Sequence, residues 1–561
     1  MHPFSRISYP HSSLLAALLI SATACTTTST SATTLGDNGL DDAGVAKPGG
    51  SDAPAGGGGD TIDAGVPQTG DGYHVGPGQQ YANIGDVPWY RLQGGDTVYI
   101  HYRSTPYREK FLISSRGTPS QWIHVLGVPG PGGELPVISG DGATTSSNMK
   151  YHWQDPSGSS AIQWGGVIQV AVRSEGALGP APIPGYIEIA NLQVQDATPD
   201  YQFTAENGQT SPYEPFAACI YAKSAQHILV RNNVLTNCGL GFYNWTGDGS
   251  SDTWWAALEV DTVVRGNHFY NNGVPGSYTE HQIYVESDGS IIEQNTFGPQ
   301  RTGSLGSQIK DRSAGSVIRY NYIEQSPSGW DVDLVEPQES APALVPKPTY
   351  KQAFVYGNVF VNRDNRDPNV VHWNEDHQLG DGRTTIQGGR LFFYANTLVT
   401  IANASDMAAL DGFNVTWGGY DCPAGPLPGL IDVRNNVFAV LPRTPGAAIP
   451  QLRLGYCGLE NFNLGANWVS PGWTAHGSTV TGAASVISPA NNDPGFVDAA
   501  NNDFRLAPGS SAAGSGGSLA PEVTSNTLGL DLTPRLQYST AQGAAPRSAS
   551  GAGSDLGAFQ R

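Results

Sequence analysis

A short phrase built around one Asn recurs along the middle of the chain and restricts the folds open to it. Each copy reads apolar-x-x-Asn-x-apolar, and successive Asn residues lie 26 to 42 positions apart. Repeats of this length are typical of a solenoid, whose coils stack along one axis. Because Asn tolerates the left-handed backbone region and hydrogen-bonds nearby backbone, we expect a ladder at one turn of every coil. The copies centre on Asn191, Asn233, Asn267, Asn295, Asn321, Asn358, Asn396 and Asn436.

Three β-like runs within this region predict one polar column on the outside of the solenoid. Gln282–Glu286, Gln308–Arg312 and Asp331–Val335 alternate polar and apolar residues, and their inward apolar residues recur after 26 and 23 positions. Such alternation is typical of half-buried strands, which stack about 4.8 Å apart. We therefore expect a chemically active column along these coils. Its outward residues are Tyr284, Glu286, Lys310, Arg312, Asp331 and Asp333.

The two ends of the folded part carry a resemblance to a known superfamily. The carrying segments are Val75–Gln79, Gly95–Ile100, Tyr107–Lys110, Gly127–Pro131, Pro136–Gly140 and, at the other end, Asp555–Gln560. Together they resemble exported right-handed parallel β-helix proteins of the pectate-lyase-like superfamily. The resemblance implies an all-β, right-handed parallel β-helix over residues 71–495 and a capping segment over residues 496–561 that covers the last coil.

The N-terminal region predicts export. Arg6 precedes the apolar run Leu14–Ile20, and small residues lead to Cys25. This pattern predicts a signal peptide over residues 1–24, too short to span a bilayer as a helix. It resembles a bacterial lipoprotein cleavage box, which would make Cys25 the acylated residue and a lipid anchor the link to the membrane. Ordinary secretion is the alternative. Residues 25–70 are rich in Gly, Ser, Thr and Pro and predict a disordered linker.

The net charge limits the binding partners that the sequence allows, and the cysteines allow disulfides. The net charge is −20, from 29 basic and 49 acidic residues, which argues against a nucleic-acid binder. An acidic substrate must therefore be met by local positive charge or by a cation. Export permits disulfides among Cys219, Cys238, Cys422 and Cys457, but the sequence leaves their pairing open. We expect a monomer.

Many β-helix proteins of this class are polysaccharide lyases or glycoside hydrolases, and the segment QIKDR, residues 308–312, resembles the Lys/Arg arrangement of chondroitinase B and alginate lyases. β-Elimination of a uronate needs a base, a cation for the carboxylate and a proton for the leaving oxygen. Lys310 is the predicted base, Arg312 the carboxylate clamp and Tyr284 the proton donor. Glu286, Asp331 and Asp333 are candidate Ca²⁺ ligands, because Ca²⁺ takes oxygen ligands.

A second group follows in the sequence VVHWNEDHQ, residues 370–378. His372 would extend the column by one coil as a general acid or base. Trp330, Trp373 and His377 are the candidate substrate contacts, since a Trp ring can stack on a sugar. The main prediction is a lyase that cleaves an acidic, uronate-containing polysaccharide.

Three alternatives remain open at this point. A β-helix glycoside hydrolase needs two carboxylates across the glycosidic bond, and the chain lacks the Asp-Asp pair typical of polygalacturonase-like enzymes. A C5-epimerase would share the proton-abstraction step. A non-catalytic carbohydrate-binding protein or adhesin would need no poised Lys. Lys310 and Arg312 in an open groove would favour the lyase, whereas the same residues paired under a loop would favour a binding protein or a scaffold.

Overall fold

A computed structural model of the chain describes residues 72–146, 163–172, 182–245, 258–324, 326, 328–338, 340–363, 369–373, 389–414, 422, 429–540, 543–547 and 554–561. The predicted signal peptide, Cys25, the linker of residues 25–70 and His377 lie outside these residues. None of the helices in the described part has the length and apolar character needed to cross a membrane.

The described strands wind into a right-handed parallel β-helix. A typical coil runs through Ile283–Val285, Asp288–Glu293 and Thr296–Phe297, and the next coil begins at Ile309–Asp311. Each of these strands pairs in parallel with the equivalent strand of the neighbouring coil, so three parallel sheets form along the axis. The expected fold class is confirmed.

We call the three sheets I, II and III. Within the described residues, sheets I and II have 13 strands each and sheet III has 11. Sheet I contains Thr210–Pro212, Gln202–Thr204, Ala143–Thr145, Glu109–Ile113, Gly166–Val170, Ala218–Lys223, Leu240–Trp245, Ile283–Val285, Ile309–Asp311, Val332–Leu334, Asn369–Trp373, Ala409–Asn414 and Gln451–Gly455. Sheet II contains Tyr73–Val75, Thr97–His101, Ile123–Val128, Gly185–Ala190, Gln226–Arg231, Val260–Arg265, Asp288–Glu293, Ala314–Arg319, Gln352–Tyr356, Arg390–Tyr394, Leu430–Arg434, Asn461–Leu464 and Thr479–Thr481. Sheet III contains Val137–Ser139, Gln193–Ala197, Val234–Cys238, His268–Tyr270, Thr296–Phe297, Tyr322–Glu324, Val359–Asn362, Thr397–Ile401, Val437–Leu441, Asn467–Val469 and Val486–Ile487.

The interior is filled by apolar residues at alternate strand positions, as the period of two requires. Ile283, Ile309 and Val332 stack in register and are fully buried. Aromatic rings repeat the same stacking on sheet III, where the ring centroids of Phe269 and Phe297 lie 5.0 Å apart. Burial of this continuous core is what stabilises successive coils on one another.

The Asn ladder exists, with its members shifted from the expected set. Each ladder Asn donates from Nδ2 to a backbone carbonyl, and its Oδ1 accepts from the previous rung. At the first expected position Leu192, rather than Asn191, is in register, and its backbone N–H donates to Asn233. The ladder also extends one coil further, to Asn467. Its members are Asn233, Asn267, Asn295, Asn321, Asn358, Asn396, Asn436 and Asn467.

The left-handed turn belongs to the residue before the ladder Asn on every coil from Asn233 to Asn436, which corrects the expected reason for the repeat. Tyr320 has a φ of 58° and Ala395 a φ of 53°, and Gly357 occupies the same position with a φ of 67°. The ladder Asn residues are therefore selected for the amide group, which offers a donor and an acceptor to adjacent rungs. The position with positive φ is occupied by Gly, Asn, Gln, Tyr or Ala in different coils.

Two disulfides join cysteines whose pairing the sequence left open. Cys219 is linked to Cys238 and Cys422 to Cys457. Cys219 lies on sheet I and Cys238 on sheet III of the same coil, so the bond crosses the interior of one coil rather than joining two coils. Disulfides are compatible with an oxidising, exported location.

Residues 496–561, which we call the flank segment, pack along the side of the helix in their described part. The segment includes two antiparallel hairpins, Phe496–Asp498 with Asp503–Leu506 and Leu536–Ser539 with Gly543–Pro546. Leu532 receives a hydrogen bond on its carbonyl from the Tyr394 hydroxyl on sheet II at 2.7 Å. The end cap stays a prediction, and the described contacts show that the segment buries apolar residues on the outer faces of sheets II and III.

A variant in the flank segment tests this packing. Leu556 is fully buried against the sheet III side. Two residues later, the Ala558 N–H donates a hydrogen bond to the Thr397 hydroxyl. Leu556→Ala is expected to lower the free energy of unfolding by about 2 kcal/mol, the low end for a buried Leu. Urea unfolding checks the loss, and the exposed residue Val497, changed to Ala, is the control expected to change little.

Candidate functional site

The predicted column forms on the outer face of sheet I. Tyr284 lies beside Lys310, Lys310 beside Asp333 and Asp333 beside His372 on four consecutive coils. Alternation along each short strand sends the flanking residues inward and these four outward. We call these four residues the Lys310 column. The structure thus brings together residues that are up to 88 positions apart in the sequence (284 to 372).

A hydrogen-bonded chain links three members of the column. Lys310 Nζ donates to Asp333 Oδ2 at 2.6 Å, and His372 Nδ1 lies 2.7 Å from Asp333 Oδ1. Asp333 was predicted as a metal ligand, but its two oxygens hold a cation on one side and an imidazole on the other. All three side chains are buried. Buried charges of this kind are costly unless paired, and here each is paired.

Arg312 lies at the edge of the column. Its Nη1 donates to the backbone oxygen of Glu336 at 2.6 Å, with a Glu336 carboxylate oxygen 3.9 Å away. The guanidinium carbon lies 5.7 Å from the centroid of the Tyr284 ring. The three residues predicted for the elimination step, Lys310, Arg312 and Tyr284, are therefore neighbours.

A segment after the strand Val332–Leu334 contacts the Tyr284 end of the column. Gln338 Oε1 accepts a hydrogen bond from the Tyr284 hydroxyl at 2.9 Å, and Ser340 donates to Glu286. The short helix Ala341–Leu344 follows, with Leu344 in the core. Over His372 lies the Trp330 ring, whose centroid is 4.2 Å away and nearly parallel. We call residues 337–344 the cover segment. Lys310 and Arg312 are thus paired and buried, not displayed in an open groove.

The three candidate Ca²⁺ ligands do not form a metal site. Glu286 Oε1 accepts from Gln338 and Ser340, and Asp333 is occupied by Lys310 and His372. Asp331 accepts from the Ser326 N–H, and burial raises the pKa of its carboxyl well above the usual value. Across the described residues, no three His, Cys, Asp or Glu side chains are arranged to hold a metal ion. These residues therefore do not fit Ca²⁺.

The two tryptophans predicted to stack on sugars lie in different environments. Trp373 points inward and packs in the core cluster, so its expected role as a stacking surface is wrong. The alternation of its strand explains this, because His372 takes the outward position. Trp330 stays at the site, but its ring faces His372. His377 lies outside the described residues.

Asp311, between Lys310 and Arg312, points into the helix interior. Its carboxylate accepts from the Ser290 hydroxyl at 2.8 Å and from the Ser313 N–H at 2.9 Å. Burial raises the pKa of this carboxyl, and the serine contacts lower it again in part. Asp311 therefore holds the turn from sheet I to sheet II and does not reach the column.

Two residues that continue the column were missed. Tyr221 and Tyr243 occupy the same outward position on the two coils before Tyr284. The signal was present in the sequence, because ACIYAK, GFYNW and QIYVE, from residues 218, 241 and 282, share an aliphatic or aromatic residue followed by Tyr. The Asn-centred repeat marks the turn between sheets II and III, so it gives no register for the strands of sheet I.

Comparison with known proteins yields structural neighbours alone. No protein-family model matches the chain, and no curated protein matches it. An alginate lyase from Paenibacillus sp. str. FPU-7 shares 15% identity over 66% of this chain and 94% of that chain, with a TM-score of 0.38.

Two further structures are similar at the same level. Pectate lyase Pel9A shares 12% identity over 88% of this chain and 97% of its own, with a TM-score of 0.40. A GH136 lacto-N-biosidase from Eubacterium ramulus shares 11% identity over 70% of this chain and 67% of its own, with a TM-score of 0.33. These three solved structures are two lyases and a lacto-N-biosidase.

Proposed function

We propose that this protein is a polysaccharide lyase that cleaves an acidic, uronate-containing glycan by β-elimination at the Lys310 column. The observation that supports the proposal is the chain Lys310–Asp333–His372, with distances of 2.6 and 2.7 Å, on one outward column of three consecutive coils. Arg312 and Tyr284 adjoin it. Together they supply the cations, the base and the proton donor that elimination needs.

Elimination converts one C–O bond and one C–H bond into a double bond. A base removes the proton at C5 of the uronate, the electron pair forms the C4–C5 double bond, and the C4–O bond breaks. The leaving oxygen then takes a proton. Lys310 and Arg312 are placed to neutralise the carboxylate, since a chain of net charge −20 needs local cations to hold an acidic sugar. The Tyr284 hydroxyl is placed to protonate the leaving oxygen.

His372 takes the role of base that the sequence suggested for Lys310. Lys310 donates into an ion pair with Asp333, and an ammonium in such a pair has no lone pair to accept a proton. In the neutral His372 ring, an Nδ1–H that donates to Asp333 leaves the lone pair on Nε2. Asp333 therefore orients the base and also holds the cation.

Substrate reaches this site when the cover segment leaves the column. Its contacts there include the hydrogen bonds of Gln338 with Tyr284 and of Gln338 and Ser340 with Glu286. A glycan hydroxyl can replace such contacts one for one, and closure over the bound sugar would exclude water from the reacting atoms. The conformation described is accordingly the closed one.

The first test is a substrate screen with the purified chain of residues 70–561. Pectate, alginate, chondroitin, dermatan and heparan are each incubated with it, with and without Ca²⁺. We expect one glycan to give the ultraviolet absorbance of an unsaturated uronate, and the same rate after chelation, because the candidate acidic residues do not form a metal site. New reducing ends without that absorbance would indicate a hydrolase and contradict the proposal.

A second candidate function is a non-catalytic protein that binds the same class of glycan. The observation that favours it is the burial of Lys310 and Arg312, which are paired with Asp333 and Glu336 and do not line an open groove. Binding of an acidic glycan in calorimetry, with neither absorbance nor new reducing ends from any glycan of the panel, would establish it in place of the lyase.

We also propose that the protein acts outside the cytoplasm as a monomer, held by a lipid on Cys25. The two disulfides support an oxidising compartment. Mass spectrometry of the N-terminal peptide from the exporting cell checks the lipid. A mature chain that begins at another residue, or an unmodified Cys25, would contradict the anchor.

A further inference from the structure

Two arginines lie side by side on the outer face of sheet II, on a different sheet from the Lys310 column. Arg231 and Arg265 are in register on neighbouring coils. Both side chains point outward, because Val230 and Val264, the residues before them, lie in the core. Equivalent positions on neighbouring coils are about 4.8 Å apart, and like charges in such positions destabilise a sheet. We call these two residues the arginine pair.

The carboxylate partners of the pair lie on its two outer sides. Arg231 donates from Nε to Glu188, which belongs to the coil before it. Arg265 donates from Nε to Glu293 Oε1 at 2.5 Å, and Glu293 belongs to the coil after it. In the described part of the chain, each arginine of the pair has one carboxylate partner, so the space between the two guanidinium groups receives no negative charge from the protein.

One donor of the pair has no acceptor. Arg265 Nη2 is buried and meets no hydrogen-bond partner among the described residues. A buried, charged donor of this kind is costly unless an acceptor reaches it. The exposed fraction of the arginine side chains rises from 4% at Arg319 to 18% at Arg265 and 29% at Arg231. The pair therefore lies where the sheet face opens to solvent, beyond the part that the flank segment covers at Ile291.

The charged group around the pair has one positive charge in excess. It contains three arginines and two glutamates, and His124 beside Glu188 adds no charge while it is neutral. A singly charged oxyanion balances this excess, whereas a phosphate monoester with nearly two charges would reverse it. A carboxylate has the single charge and also the planar shape that a guanidinium fork binds. The five charged residues are Glu188, Arg231, Arg265, Glu293 and Arg319.

An apolar surface adjoins the two cations. Leu229 and Val263 occupy the outward positions two residues before the arginines and are in register with each other. Val263 is buried and Leu229 is half-buried. The carbon skeleton of a small organic acid can pack on these side chains while its carboxylate meets the guanidinium groups. An inorganic anion would leave this surface unused.

We propose that the arginine pair is a binding site for a ligand that carries a carboxylate. One carboxylate oxygen accepts from Arg265 Nη2, and the other accepts from the guanidinium of Arg231. The ligand supplies the negative charge that the in-register arginines lack. The site goes beyond the proposed function, which uses side chains of sheet I alone.

The test is a calorimetric titration of the purified protein with sodium acetate and with sodium glucuronate, at an ionic strength held constant with sodium chloride. We expect both salts to bind, and the affinity to fall about tenfold to a hundredfold in Arg265→Gln and in Arg231→Gln, because each loses one charge-assisted donor group. Glucose, which has no carboxylate, should not bind. A tighter affinity for glucuronate than for acetate would show that the sugar ring also contributes.

The variants keep the buried carboxylates paired. In Arg265→Gln, Glu293 retains the hydrogen bond from Arg319 Nε at 2.7 Å. In Arg231→Gln, Glu188 retains His124, whose Nδ1 lies 2.5 Å away. Circular dichroism should therefore show both variants folded. Arg265→Lys keeps the charge without the fork and should bind with intermediate affinity.

A matched control removes one arginine elsewhere. Arg505 is 63% exposed and pairs with Asp503 in a hairpin of the flank segment. Arg505→Gln changes the net charge by the same amount as Arg265→Gln, and it should bind acetate and glucuronate as the wild type does.

The outcomes separate this inference from the proposed function. Equal affinities in the wild type and Arg265→Gln, or no binding of either salt by the wild type, would overturn the site. Glucuronate binding that is lost in Lys310→Met and retained in Arg265→Gln would place the carboxylate at the Lys310 column, in favour of the lyase and against the arginine pair. Binding that depends on both arginines, in a protein that cleaves no glycan, would support the pair and contradict the lyase.

Discussion

Replacing Asp333 with Ala is expected to lower the free energy of unfolding by about 3–5 kcal/mol, the range measured when one partner of a buried ion pair is removed. Asp333 is fully buried and accepts from Lys310 and His372 at 2.6 and 2.7 Å. Without it, the Lys310 ammonium stays buried and loses its counter-charge. Guanidinium unfolding followed by circular dichroism measures the change.

The same variant should lose elimination activity, and a double variant separates the two effects. Lys310→Met with Asp333→Leu removes the charge and its partner together, so much of the lost stability should return. Activity should not return, because Lys310, one of the two cations proposed to neutralise the carboxylate, and Asp333, the group that orients His372, are both gone. A stable double variant with wild-type activity would show that the chemistry takes place elsewhere.

His372→Ala provides the check on the base. If His372 removes the C5 proton, imidazole added to His372→Ala should restore part of the elimination rate. Imidazole added to Asp333→Ala should not restore the rate. A purely structural role for His372 would give a loss that imidazole leaves unchanged. Lys310→Met in the same assay should raise KM as well as lower kcat, since Lys310 also holds the carboxylate.

The column could be predicted from the sequence because strand alternation is local. Ile283, Ile309 and Val332 mark the inward positions, and a period of two fixes their outward neighbours. What covers the column could not be predicted. Gln338 and Ser340 lie in a loop with no periodicity, and their partners Tyr284 and Glu286 are more than 50 positions away. The difference between an open groove and a closed site is therefore a tertiary property.

For the Asn ladder, the sequence predicted the repeat correctly but placed its first member one residue too early. The phrase at Asn191 contains an Asn, but the position in register with Asn233 is Leu192. The sequence shows where Asn recurs and does not show which residue of each turn adopts positive φ. Hydrogen-bond geometry decides this, because only one position per coil lies within reach of the next rung. Asn467 was missed since its phrase, NLGANWV, departs from the others.

Loss of one ladder rung should be felt across several coils. Asn321 accepts from the backbone N–H and the Nδ2 of Asn295, at 2.9 and 3.0 Å, and donates to the Ile292 carbonyl and to Asn358, both at 2.9 Å. All of these groups are buried, so water does not replace the lost partner. Asn295 Nδ2 and Asn358 Oδ1 each keep another partner. Asn321→Ala is expected to cost roughly 2–6 kcal/mol, at about 1–3 kcal/mol for each of the two other buried groups that lose this partner, the Asn295 N–H and the Ile292 carbonyl.

Urea unfolding of Asn321→Ala against Asn207→Ala measures this cost with a matched control. Asn207 is exposed and accepts one hydrogen bond, from the Gln209 N–H at 2.9 Å, so its loss should cost about 0.5–1 kcal/mol at most. Asn321→Asp keeps the shape and the acceptor but removes the donor to Ile292 and Asn358, and should fall between the two. Because coils of a solenoid stabilise their neighbours, hydrogen exchange should also quicken at the Asn295 amide. Equal unfolding midpoints for Asn321→Ala and Asn207→Ala would mean that apolar stacking alone sets the register of the coils.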